Sequence, residues 1–226
     1  MIDIIDLSKS YGAKRVLKNI HLTMSKSSVH GIVGKNGAGK TTLFRCLAGL
    51  ETYDGEIDSN FDILKNHLGF LQTQPYFFSK ITGREYLQFL CNARDLKRVD
   101  FDEKNVFDLP LNHYASTYST GMKKKLALMG VLLQQNDILI LDEPFNGVDI
   151  QSNMLISGII HKLKAVGKIV MISSHIFSTL SDTCDEIHLL KDGVFVKKAE
   201  KSDFNALDAQ MKADVLENRI ERLGLT

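Results

Sequence analysis

An α/β fold with a mainly parallel sheet, an antiparallel β portion at its N-terminus and an inserted helical lobe is predicted for this 226-residue chain by three observations. Residues 29–33 are an apolar run broken by His30 and Gly31; a glycine-rich stretch follows, then Leu43, Phe44, Leu47 and Ala48 at helical spacing. Residues 138–141 form an unbroken apolar run, the character of a parallel strand buried on both faces. A helical pattern over 151–166 and an apolar run within 168–174 come next, and strand, helix, strand in that order implies a right-handed crossover in a parallel sheet.

The remaining elements follow in order along the chain. Residues 2–7 and 16–22 are partly alternating apolar stretches around Tyr11 and Gly12, which predicts an antiparallel pair. Residues 68–71 suit another strand. From Gln74 to about Thr117 the composition shifts: aromatics cluster at Tyr76, Phe77 and Phe78, and Tyr86, Leu87, Phe89 and Leu90 predict a helix, so this segment reads as a mostly helical inserted lobe. A second helix spans about 121–134, with Leu126, Met129, Leu132 and Leu133 on one side. Residues 187–196, centred on Asp192-Gly193, carry a hairpin signal. Phe204, Leu207, Met211, Val215, Leu216, Ile220 and Leu223 give the tail helical apolar spacing. The tail is expected to pack on its own domain, with a partner or dimer contact as the alternative. The whole is read as one domain: a core of residues 1–73 and 131–200, a lobe of about 74–130 and a tail of about 201–226.

Composition narrows the class. The 28 basic and 27 acidic residues nearly cancel, which argues against a broad electrostatic footprint for nucleic acid. Cys46, Cys91 and Cys184 are dispersed and include no C-x-x-C pair, so reduced, buried thiols and a cytosolic chain are expected. Nothing near Met1 resembles a signal peptide, and no apolar run approaches the roughly 20 residues that span a bilayer. Any membrane role is therefore expected to pass through a partner.

Gly34-Lys35-Asn36-Gly37-Ala38-Gly39-Lys40-Thr41 fits the G-x-x-x-x-G-K-[ST] phosphate-binding loop at every fixed position, in the strand, loop, helix context that motif needs. A triphosphate is strongly anionic, and a helix starting near Lys40 presents unpaired N–H groups and the positive end of its dipole. Gly34, Gly37 and Gly39 let the backbone approach phosphate oxygens, Lys40 adds a mobile cation, and the Thr41 hydroxyl can ligate Mg2+. The apolar run at 138–141 ends in Asp142-Glu143, where such a strand emerges beside the loop. An aspartate there can hold Mg2+, and the next carboxylate can orient or deprotonate the water that attacks the γ-phosphate. The absence of an N-K-x-D guanine-reading motif disfavours GTP.

Over about residues 1–196 the chain resembles the ATP-binding cassette family, specifically the nucleotide-binding subunit of an ABC transporter with a P-loop NTPase core of RecA-like kind. Gly34 to Thr42, including Asn36, Ala38 and Thr42, matches the Walker A loop, and residues 138–142 match Walker B, with Glu143 in the place of the catalytic carboxylate. Tyr11 matches the aromatic residue that stacks on adenine. Asn146-Gly147-Val148-Asp149 matches the loop that crosses the dimer interface, and His175 matches the switch histidine that contacts the γ-phosphate. Tyr118-Ser119-Thr120-Gly121-Met122 occupies the place of the signature motif. It departs from L-S-G-G-Q but keeps Ser119 and Gly121, and its continuation through Lys123, Lys124 and Lys125 resembles exporters of the ABC-2 type. Ser119 can also serve as an ordinary helix cap.

The resemblance implies ATP and Mg2+ as cofactors, with Thr41 and Asp142 on the metal, Glu143 as base and His175 steadying the charge. It implies two cassettes closing on ATP, each offering Ser119 and Gly121 of its signature helix to the nucleotide of the other with Asp149 in the loop that crosses the interface, and transmembrane permease subunits as partners at the inner face of the cell membrane. No nucleic acid is expected. The family's Q-loop glutamine falls on Thr73, flanked by Gln72 and Gln74, and which of the three serves is open. Alternatives are a soluble non-transport ABC ATPase and a regulatory ATP-binding module with little turnover. Cargo, direction of transport and homodimer against heterodimer are not readable.

Overall fold

The computed structural model describes residues 1–216. Its elements are β1 (Ile2–Tyr11), β2 (Lys14–Met24), β3 (Ser28–Val33), α1 (Lys40–Leu47), β4 (Asp54–Ser59), β5 (Leu68–Leu71), α2 (Gly83–Asn92), α3 (Thr120–Leu133), β6 (Ile138–Asp142), α4 (Ile150–Ala165), β7 (Ile169–Ser174), α5 (Phe177–Ser181), β8 (Glu186–Lys191), β9 (Val194–Glu200) and α6 (Phe204–Leu216). They form two sheets. One is three-stranded and antiparallel, ordered β2-β1-β4; the other is six-stranded, ordered β5-β6-β7-β3-β8-β9, parallel throughout except for β9.

The apolar runs form central strands because both faces of the large sheet are covered. On β6, Leu139 and Leu141 point into one core and Ile138 and Ile140 into the other; on β7, Val170 and Ile172 alternate in the same way with Ile169 and Met171. All eight are essentially inaccessible, and each such aliphatic side chain contributes about 1.5–3 kcal/mol relative to exposure. The second of these cores lies under the antiparallel sheet, filled by Ile2, Ile4, Leu17 and Ile20 together with Leu43 and Phe44 of α1.

Helix starts follow the capping chemistry of their first residues. Thr82 and Glu85 make a reciprocal capping box at α2. Ser119 accepts the Met122 N–H at α3, and Asp149 accepts the Ser152 N–H at α4.

Two elements carry no signal in the sequence and one expectation needs correction. β4 was not anticipated: its sequence DGEIDS has one apolar residue, and it exists as an edge strand because Ile57 pairs with Ile4 of β1. Nor was the short helix α5. The lobe is less helical than its composition suggests, since between Gln74 and Thr117 only α2 and the 3-10 turn Ala115–Thr117 are helical. Phe101, Phe107, Leu109 and Leu111 are buried from irregular chain instead, tied down by backbone bonds such as Arg84 N–H to Leu111 C=O at 2.8 Å.

The tail begins on its own domain: Phe204 and Leu207 are buried in the main core, Met211 packs against it, and Phe204 meets Phe177 edge to face. Ile220 and Leu223 lie outside the described residues.

Candidate active site

Parallel strands β3, β6 and β7 lie side by side, so the loops at their C-terminal ends converge at one edge of the sheet. β3 runs into the phosphate loop. Gly39, at φ +113°, occupies the position just before α1, a conformation side-chain-bearing residues rarely adopt, and the turn it allows points the free N–H groups of the first helical turn outward. The Lys40 ammonium is almost buried and folds back over the loop, donating to the Gly34 carbonyl at 2.7 Å.

Across from it, Asp142 is fully buried at the end of β6. Three hydroxyls donate to its carboxylate: Thr41 at 2.7 Å and Thr73 to one oxygen, Ser173 at 2.5 Å to the other. Among the described residues no lysine or arginine pairs with it within 4 Å. A fully buried carboxylate whose direct hydrogen-bond partners are all hydroxyls, hard oxygen donors, fits a Mg2+ ion.

Glu143 takes the next position with φ +53°, a strained backbone for a residue with a side chain. Both of its peptide groups are held. The Ser173 hydroxyl accepts its N–H at 3.0 Å, and the buried Lys124 ammonium donates to its C=O at 2.8 Å. Burial lowers the pKa of Lys124, and the charges of Asp142 and Glu143 partly restore it. The Glu143 carboxylate meets His175 Nδ1 at 2.8 Å and lies 3.7 Å from the Lys40 ammonium. Thus Ser173 ties the two carboxylate residues together, while His175, just beyond β7, is oriented by the carboxylate it faces.

A cavity of about 330 Å³ brings Asn36, Gly37, Gly39, Lys40, Thr41 and Thr42 together with Thr73, Asp142 and Glu143. Lys14 and Val16 of β2 also line it; no motif marks either residue in the sequence. Gly34 contributes its carbonyl beneath. Ala38 packs against the second core rather than the cavity. Tyr11 does not line the cavity; it ends β1 half-exposed, with the Lys9 ammonium 4.9 Å over its ring.

Ser119, Gly121 and Asp149 also stand outside this cavity and form a corner of their own. A Cβ on Gly121 would come within 2.7 Å of the Gly147 carbonyl, so the start of α3 rests directly on the loop before α4. Lys125 pairs with Asp149 at 3.2 Å. The Ser152 N–H and hydroxyl, then Lys125, hold the Asp149 carboxyl well below the usual carboxylate range. Lys124, Lys125 and Ser173 were not picked out as site residues by sequence reasoning; helical spacing alone distinguishes a buried lysine from its solvated neighbours.

A glycine-turned anion loop, a cation above it and two carboxylates opposite define an α/β protein that binds and hydrolyses nucleoside triphosphates. The sequence profile described as ABC transporter matches residues 17–146. The chain is 30% identical to the bacitracin transport ATP-binding protein of Enterococcus faecalis, over all of this chain and 81% of that protein. It is 27% identical to the lantibiotic transport ATP-binding protein of Streptococcus pyogenes, over 96% of this chain and 98% of that one. In fold it is similar to an ATP-binding subunit of an ABC transporter, with a TM-score of 0.79 at 24% identity over 92% of this chain and 93% of that one. It is also similar to a dimeric ATP-binding cassette in a post-hydrolysis state bound to ADP and Pi, with a TM-score of 0.77 at 21% identity over 89% and 99%. The chain belongs to the ABC transporter family, as one of its ATP-binding ATPase subunits. No helix among the described residues is long and apolar enough to cross a membrane.

Proposed function

We propose that this chain hydrolyses MgATP at the interface of two cassettes and so drives export through separate transmembrane subunits, from the inner face of the cell membrane. The observation that carries the reading is the Glu143 carboxylate, held at its backbone from both sides, facing Lys40 and His175 over the phosphate loop.

In this reading the loop N–H groups and Lys40 bind the β- and γ-phosphates. Thr41 and Asp142 hold the Mg2+ ion, which supplies charge neutralisation on the phosphate oxygens when bound. Glu143 takes a proton from the attacking water as the water oxygen bonds to the γ-phosphorus and the bridging oxygen leaves with ADP. His175 keeps the carboxylate aimed through its Nδ1 contact.

The separation of Ser119, Gly121 and Asp149 from the cavity of their own chain supports a second cassette. An opposed copy presents the α3 N-terminus to a γ-phosphate, and ATP then joins the two halves. Relatives named for bacitracin and lantibiotic transport support a transport role, and the signature continuation at Lys123 to Lys125 supports export.

Glu143→Gln tests the reading. ATP binding and an ATP-dependent dimer persist, seen by light scattering, while steady-state turnover falls by about 10² to 10⁴. Unchanged turnover removes Glu143 from the role of base. Co-purification of the tagged chain with a polytopic membrane protein tests the transport half separately.

A further inference from the structure

A second group of ligating side chains sits away from the nucleotide cavity, on β3 and β8. His30 lies directly beside Glu186 in the parallel register, and His188, two residues further on β8, shares that face. Their nearest ligating atoms all lie within 4.8 Å of one another. Both imidazoles are buried, at 3% and 4% exposure.

The hydrogen-bond accounting around His30 does not close. The Ser28 hydroxyl has one proton and gives it to the Ser25 carbonyl. It therefore accepts from His30 Nε2, 2.8 Å away, which makes Nε2 the protonated nitrogen of the neutral ring. His30 Nδ1 is then a bare lone pair. It faces Glu186 Oε1 at 2.6 Å without the alignment of a hydrogen bond, a buried polar atom without a partner.

His188 Nε2 donates a hydrogen bond to the same oxygen at 3.1 Å, a proton the ion would displace, and Lys198 pairs with the other oxygen. His30 Nδ1 and the Glu186 oxygen thus stand close together with no hydrogen bond joining them.

We propose that His30, Glu186 and His188 form a binding site for a divalent transition-metal ion of the zinc type, independent of the nucleotide site. Two imidazoles and one carboxylate are the donor set of such an ion rather than of Mg2+. Metal–ligand lengths of about 2.0–2.2 Å set tetrahedral ligand atoms about 3.3–3.6 Å apart, so the shared Glu186 oxygen must draw back from both rings to admit the ion, a movement that side-chain torsions supply. His188 also lines a cavity of about 460 Å³ between β2 and β9, through which the ion and a water ligand can arrive. Ser28 on His30 Nε2 orients one ring as an outer hydrogen-bond partner does in zinc sites. The ion ties β8 to β3, the strand that runs into the phosphate loop four residues beyond His30.

The test uses the full chain stripped with a chelator, without nucleotide and with Mg2+ in large excess, titrated with Co2+. One equivalent is expected to bind with visible absorption of low-coordinate Co2+, to be displaced by Zn2+, and to raise Tm. His30→Gln and His188→Gln each lower Co2+ affinity at least about tenfold and leave MgATP turnover in place. X-ray absorption of the wild-type complex shows two imidazole nitrogens with oxygen and no sulfur, and this decides the matter if the variants do not fold. No Co2+ signal in the wild type, a sulfur ligand, or unchanged affinity in both variants overturns the site.

Discussion

The Lys124 ammonium donates to the main-chain carbonyl of Glu143 at 2.8 Å, so a side chain of α3 holds the backbone of the carboxylate opposite the phosphate loop. The next residue, Lys125, reaches Asp149. Adjacent lysines on α3 thereby grip both ends of the segment 143–149, and any displacement of α3 is transmitted to Glu143. The strained φ of Glu143 makes that grip consequential, because a left-handed backbone persists only while its surroundings impose it.

Lys124→Met is expected to lower kcat while leaving KM for ATP nearly unchanged, since the phosphate loop loses nothing and the carboxylate loses its backbone support. The orphaned carbonyl costs about 1–3 kcal/mol of stability. Lys124→Gln, which keeps a donor, recovers part of kcat. A methionine variant with wild-type kcat shows that Lys124 only fills space.

Thr73 stands where the family places a glutamine, and its hydroxyl is on the same Asp142 oxygen as Thr41. Gln72 and Gln74 do not line the nucleotide cavity but an adjoining one of about 240 Å³, which shares Thr41 and Thr73 with it. With Thr73 in the glutamine's part, its hydroxyl oxygen is turned to the ion or its water when Mg2+ binds, so Thr73→Val is expected to raise the Mg2+ concentration for half-maximal ATPase, with Gln72→Ala and Gln74→Ala close to wild type. A Mg2+ requirement moved by either glutamine and not by Thr73 assigns the role to that neighbour.

Asp185 couples three elements: its carboxylate accepts the Val29 N–H at 3.0 Å and pairs with Lys164 at 2.5 Å, joining the starts of β3 and β8 to the end of α4. Burial alone raises its pKa, but Lys164 and the Val29 N–H more than reverse this, so the folded value lies below the unfolded one. The stabilisation is accordingly complete above the unfolded value of about 3.9 and is lost as pH falls through the folded value. Asp185→Asn keeps the shape without the charge. Its Tm deficit against the wild type is expected to be largest at neutral pH and to shrink in acid; a deficit constant with pH contradicts the linkage.

What could be read from the chain divides by the physics of each segment. β3, β6 and β7 were legible because a strand covered on both faces needs continuous apolar residues, and the phosphate loop because its chemistry depends on residues adjacent in sequence. β4 was not, since a one-sided edge strand with charges on half its positions looks like a turn until Ile57 finds Ile4. The contacts of Ser173 and Lys124 with Glu143 join positions 30 and 19 residues apart, and no local pattern announces them. His30 was visible as an interruption in an apolar run, but its neighbour Glu186 becomes known only from the order of strands.

Ser119 has two roles that one substitution separates. Its side chain accepts the Met122 N–H at 3.2 Å as the cap of α3, and the proposed dimer also turns that helix start toward a phosphate of the opposing cassette. Ser119→Ala confounds the two, because loss of a cap costs about 1 kcal/mol by itself. Aspartate caps a helix as well as serine does, yet it sets a carboxylate against the opposing γ-phosphate. Ser119→Asp is therefore expected to keep the Tm and the ATP affinity of the monomer while abolishing the ATP-dependent dimer in a Glu143→Gln background. If that dimer forms as before, measured by light scattering, the start of α3 does not face the second nucleotide, and Ser119 is a cap alone.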